Sequence, residues 1–158
     1  QKLLDAVKDL TDEQLHFSPL SKGNHIAFTI WHCVRTEDLV IGLMLQKKTP
    51  VWNEEGWDEK LGLDSRAQGT GMSDEDAAAV RIKDLPAFLQ YMENTYSATN
   101  AYLNGLKEED LDEVRDMPMM GSRSLRETIG GTLVQHGIGH LSEIWYTKGL
   151  QGLQGSPV

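Results

Sequence analysis

Leu3, Leu4, Val7 and Leu10 recur at the three-to-four-residue spacing of one helix face, so the chain reads as helical from its first residues. The spacing marks the end of a first helix. Because the sequence begins with Gln1 inside that pattern, we expect earlier turns and the natural start to be missing, and nothing here resembles a secretory leader. Thr11-Asp12-Glu13-Gln14 has the pattern of a capping box, a reciprocal pair of side-chain-to-backbone bonds at a helix start, and predicts a short extra turn that ends at Ser18-Pro19. Ile26, Ile30, Val34, Ile41 and Leu45 then carry a long second helix to about Lys47, with Asn24 as its cap.

Residues 48–83 break the periodicity with Pro50, Gly56, Gly62, Gly69 and Gly71. They read as a long crossover with helical turns near Glu55 to Leu61 and Asp74 to Val80, long enough to join opposite ends of a bundle. Leu85, Phe88, Leu89, Met92, Tyr96, Thr99 and Leu103 define a third helix that tolerates Pro86 in its first turn. An acidic, Pro-containing connection follows from Glu108 to Arg123. Ser124-Leu125-Arg126-Glu127 forms a second capping-box pattern and opens a fourth helix, which runs to about Lys148 before Gly149. With no convincing strand between these segments, the pattern predicts an all-α fold, a four-helix bundle in one domain over residues 1–158; an irregular α-array is the alternative.

Composition narrows the partners more than the fold. At 158 residues the chain is long enough to bury roughly two-thirds of its unfolded surface. The formal net charge of −9 and the lack of a Lys/Arg cluster exclude a nucleic-acid surface. No apolar run approaches the length of a membrane span. The one cysteine, Cys33, lies in the apolar run around Trp31 and reads as a small buried hydrophobe, and a lone thiol points to a reducing, cytoplasmic setting.

The histidines carry the chemistry. His136 and His140 stand four apart in the fourth helix, one above the other on the same face. His32 lies about eight residues inside the second helix and His140 about eight residues before the end of the fourth, roughly 12 Å in each case. Were those helices antiparallel, the three imidazoles would share one layer. Three neutral imidazoles suit Zn, Ni, Fe or Cu and leave a position open for water or substrate, and the candidate divalent ions carried forward are Zn, Ni, Fe or Mn. The spacing is equally compatible with a hydrogen-bonded core His32 and an incidental surface pair. Glu143, three residues beyond His140, is the candidate catalytic side chain: it can act as a base, as a fourth ligand or as acceptor for an imidazole N–H. His25 reads as a capping or surface residue, His16 as solvated, and Glu37 and Asp38, nearly opposite His32, as partners of Arg35 or another base in exposed or interhelical ion pairs. Trp52, Trp57 and Met72 either wall a pocket or pack ordinarily.

Three segments together resemble the DinB-like superfamily, a family unrelated to the DNA polymerase of similar name. They are residues 24–38 (NHIAFTIWHCVRTED), the crossover Gly69-Thr70-Gly71-Met72-Ser73, and residues 136–152 (HGIGHLSEIWYTKGLQG). The similarity extends over nearly the whole chain. It implies an up-down-down-up four-helix bundle with the long link between helices 2 and 3, and a metal site whose ligands fall on His32, His136 and His140. It further implies a homodimer, and by analogy with bacillithiol transferases and mycothiol- or glutathione-dependent maleylpyruvate isomerases, a metal-dependent, S-transferase-like enzyme that uses a low-molecular-weight thiol on a small-molecule substrate. A non-catalytic metal- or small-molecule-binding stress-response protein is the competing expectation.

Overall fold

A computed structural model of the chain describes residues 1–18, 23–118 and 120–157; the predicted break at Pro19 lies outside them. The described residues are mostly helical. α1 (Lys2–Val7) and α2 (Asp12–Leu15) precede α3 (Ile26–Glu37), which continues without interruption into a π-helical stretch, Asp38–Leu45. The crossover contains α4 (Val51–Glu54), α5 (Trp57–Leu61) and α6 (Asp74–Ala79), and α7 (Leu85–Asn104) follows. The last helical run consists of α8 (Leu125–Ile129), a second π-helical stretch (Gly130–His136) and α9 (Gly137–Leu150).

Local chemistry sets most of these boundaries. Thr11 and Ser124 each form the predicted capping box, with Gln14 and Glu127. Ser73 caps α6 and Asp84 caps α7, where Pro86 sits in the first turn. Such caps contribute about 1 kcal/mol each. At α3 the cap is not Asn24. His25 takes that place, its Nδ1 accepting from the Phe28 N–H at 3.0 Å while its other ring nitrogen faces the Ala78 carbonyl at 3.4 Å, so the ring is 2% exposed and not a surface residue. The fourth run passes through Gly149 and ends where Gly152 turns left-handed, at φ +74°.

The connection from Glu108 to Arg123 departs most from the sequence reading. A 3-10 turn (Glu108–Asp112) leads into β1 (Val114–Met117), which pairs antiparallel with β2 (Gly121–Ser124), Val114 opposite Ser124 and Met117 opposite Gly121. Met117 packs under this hairpin with Val40, Ile41, Leu45 and Leu125. The larger core joins Ile26, Ile30, Trp31 and Val34 of α3 to Phe88, Tyr91 and Met92 of α7 and to Leu141 and Ile144 of α9. Trp52 and Trp57 belong to that core and Met72 packs against it, which settles them as ordinary packing.

α3 is fastened to the crossover by two charged residues. Asp38 accepts from the backbone N–H groups of Val51 and Trp52 at 2.9 Å each and from the Tyr91 hydroxyl at 3.1 Å. It therefore caps α4, whose N-cap residue, Pro50, makes no side-chain cap of its own. Arg35 lies 3.6 Å from Asp38, stacks over Trp52 and donates from Nε to the Ala67 carbonyl at 3.2 Å. Arg35 is thus the expected partner of Asp38, but both side chains are 2% exposed, so the pair is buried within one helical run and neither exposed nor interhelical. Asp64 folds the next turn by accepting from the N–H groups of Arg66 and Ala67. The strap so formed runs over α3 at the level of His32.

Candidate metal centre

α3 and α9 pack directly against each other and bring three imidazoles to one point. Nε2 of His136 lies 3.2 Å from Nε2 of His32 and 3.1 Å from Nε2 of His140. One nitrogen from each ring falls within 4.8 Å of the other two, and all three residues are half-buried. The rings stand nearly perpendicular to one another, at 70°, 89° and 87°. His136 ends the π-helical stretch and His140 follows one turn into α9, with ring centroids 4.4 Å apart. π-Helical turns concentrate at functional sites.

The opposite ring nitrogens define the tautomers. Nδ1 of His32 donates to the Gln68 carbonyl, and Nδ1 of His140 donates to Oε2 of Glu143 at 2.8 Å. With those protons placed on Nδ1, the Nε2 atoms of both rings present lone pairs toward the same point. Burial lowers the pKa of His32, and that of His136 to about 4, so both rings are neutral at pH 7. Nδ1 of His136 is buried without a hydrogen-bond partner among the described residues. No acceptor holds the His136 proton on Nδ1, so its Nε2 either donates between the other two rings or, with the proton on Nδ1, turns a third lone pair toward the point where a cation can sit. Nitrogens bound tetrahedrally at 2.0–2.1 Å from zinc stand about 3.3 Å apart. The observed 3.1 and 3.2 Å fit that spacing, so the cluster can hold a metal ion.

Surrounding groups fix the rings. Glu143 sits behind His140, where its carboxylate is held below the usual range by the hydrogen bond from that imidazole. Phe28, one turn before His32, lies parallel to it at 6.0 Å between centroids. Gly69 passes so close on the other side that a Cβ there would meet His32 Nδ1 at 2.8 Å, and its φ of +96° is itself a conformation that favours glycine. Gln68 also accepts through Oε1 from Thr36 and Thr70, which steadies the carbonyl facing His32. The sequence reading did not single out Phe28, Gln68 or Gly69 as neighbours of the cluster. The i, i+4 spacing of Phe28 and His32 was the available signal; Gln68 is 36 residues from its partner and gave none.

The other candidates lie elsewhere. His16 is not solvated: its side chain is 8% exposed, and Nε2 accepts from the Ile82 N–H at 3.1 Å. Glu37 is half-buried and its carboxyl is pushed up to about 6, chiefly by desolvation. Cys33 is 3% exposed, with its thiol pushed up to about 12 by burial.

Fold and site together define a helical protein whose histidine cluster can hold a metal ion. The family description that matches, over residues 1–144, is the DinB superfamily, and the chain belongs to it. Among solved structures it is similar to a conserved protein from Enterococcus faecalis, with a TM-score of 0.81 and 22% identity over 94% of this chain and 88% of that one. At that identity the likeness bears on the fold alone. No curated protein matches the chain.

Proposed function

We propose that His32, His136 and His140 bind one divalent metal ion and that the protein is a metal-dependent enzyme of S-transferase type, acting on a small molecule with a low-molecular-weight thiol as cosubstrate. The observation that carries the metal reading is the convergence of three Nε2 atoms whose rings, in two cases, are locked by an acceptor on Nδ1, while the thiol-dependent part rests on the analogy with thiol-using members of the superfamily. Zinc, nickel or iron fits such a donor set, whereas manganese favours oxygen ligands and fits it less well. When bound, the ion supplies a Lewis-acidic position that favours the thiolate form of a small thiol.

The chain's own residues do the rest. Glu143 retains the Nδ1 proton of His140 and so keeps its Nε2 lone pair inward. Gln68 does the same for His32, and Phe28 shields one face of that ring from water. We place the site in a single domain with the up-down-down-up four-helix topology of the family, in a cytoplasmic homodimer. The exposed Val134 and Ile138, four residues apart in the last helical run, support self-association, which light scattering tests.

Elemental analysis of protein purified without an affinity tag tests the centre. Wild type should carry about one equivalent of metal and His136→Ala close to none; equal metal content in the two rejects the assigned ligands. Screening the metal-loaded protein with several thiols and electrophiles then separates turnover from saturable binding without product, which would favour a binding protein.

A further inference from the structure

A cavity of about 550 Å³ opens at Glu143, the residue that holds His140, its walls including Phe17, Asn24, Thr29, Tyr146, Thr147 and Leu150. Its position follows from helix geometry. Thr29 lies three residues before His32 on α3, and Glu143 and Thr147 lie three and seven residues after His140 on α9, so each shares a face with one of the histidines. Glu143 is the common wall, touching His140 on one side and the cavity on the other.

The lining has a definite chemical character. Phe17, Tyr146 and Leu150 provide large apolar surfaces, and the volume lies in the range of small-molecule sites. Among the described residues that line it, Glu143 is the one charged group. Its Oε2 is occupied by His140, while Oε1 accepts no hydrogen bond from a described residue. An occupant would therefore meet the apolar surfaces of Phe17, Tyr146 and Leu150, the neutral polar groups of Asn24, Thr29 and Thr147, and one carboxylate oxygen at Glu143. A molecule with its own carboxylate or phosphate at that oxygen would set like charges together against apolar walls, an arrangement costly in free energy.

We propose that this cavity is the substrate subsite of the histidine centre and takes an apolar small molecule bearing a neutral or cationic N–H donor, directed at Glu143 Oε1. The proposal rests on the metal reading above for its link to chemistry, and the experiment separates the two.

Isothermal titration of zinc-loaded and chelator-treated protein with 2-phenylethylamine and 3-phenylpropionate provides the test. The two probes share a body and differ in the charge of the head, and near pH 7 the amine is protonated, which prevents it from ligating the metal directly. Saturable one-to-one binding of the amine, roughly tenfold or more tighter than the carboxylate, supports the subsite. Leu150→Lys places a cation in the wall at a position 48% exposed, in the last turn of a helix where Lys is well tolerated, so the variant should fold. It should abolish or reverse the preference without changing metal content.

A carboxylate can ligate zinc directly, so the comparison is read in chelator-treated protein, where equal affinity for the two probes, or tighter binding of the carboxylate, overturns the proposal. So does absence of binding by either probe to protein that carries its full equivalent of zinc, a result that leaves the metal reading standing. Amine binding that persists in protein unable to take up metal overturns the metal reading and supports the cavity's preference.

Discussion

Gly69 lies against His32 so closely that a single added methyl group would come within 2.8 Å of the ring nitrogen that binds the Gln68 carbonyl. The loop crossing between helices is thus part of the support of the histidine cluster. Gly69→Ala must either push the strap away or turn the ring, and the φ of +96° adds backbone strain. Metal affinity should fall roughly 10- to 100-fold, the range for loss of an outer-shell partner, while the protein stays folded. Competition with a chromophoric chelator measures it, and wild-type affinity in the variant would show that the strap does not position His32.

Glu143 should behave as a residue acting through His140 and not as a ligand. Glu143→Ala removes the acceptor on Nδ1 and frees the imidazole to change tautomer, lowering metal affinity by roughly 10- to 100-fold. Saturating metal should still reach one equivalent, and Glu143→Gln, which keeps an acceptor oxygen, should lie between. A loss of stoichiometry as complete as that of His136→Ala would instead place Glu143 among the ligands.

The metal-free protein should lose stability in acid before most carboxylates titrate. Burial lowers His25 and His136 to about 4 and lowers His32 as well, against about 6.5 in an unfolded chain. As pH falls through 6.5 toward 4, the unfolded chain takes up protons that the folded one refuses, so the stabilisation present above pH 6.5 is progressively lost. Glu37, raised to about 6, acts in the opposite sense and offsets part of this. Chelator-treated protein should melt several degrees lower at pH 5 than at pH 7. A melting temperature that holds or rises at pH 5 contradicts this account.

Asp38 is a stability residue, separable from the centre. It satisfies the backbone of Val51 and Trp52 and the Tyr91 hydroxyl beside the buried Arg35. Asp38→Ala leaves those donors and a buried cation unpaired, a loss of about 3–5 kcal/mol. Urea denaturation reads the cost, and if the variant folds at all it should keep one equivalent of metal. A loss under about 1 kcal/mol would mean that water replaces the carboxylate without penalty.

What the sequence made legible was local. The capping residues Thr11 and Ser124 announced their helices through partners three positions away, and His136 and His140 announced a shared face through their spacing of four. The hairpin was hidden because Val-Arg-Asp-Met and Gly-Ser-Arg-Ser have little β-branched or alternating character. Its strands are held by pairing and by Met117 beneath them. At α3 the usual preference for Asn drew attention to Asn24, whereas the His25 imidazole serves as the acceptor. His16 and Asp38 gave no warning of burial because their partners, Ile82 and Val51-Trp52, arrive from distant segments.

The chain's one cysteine is sealed in the interior with its proton firmly retained. Any sulfur chemistry at the histidine centre must accordingly be delivered by a dissolved reactant, because Cys33 is in no state to supply it. Turnover would then track the ambient supply of that reactant and fall silent when the supply is exhausted, however intact the protein remains.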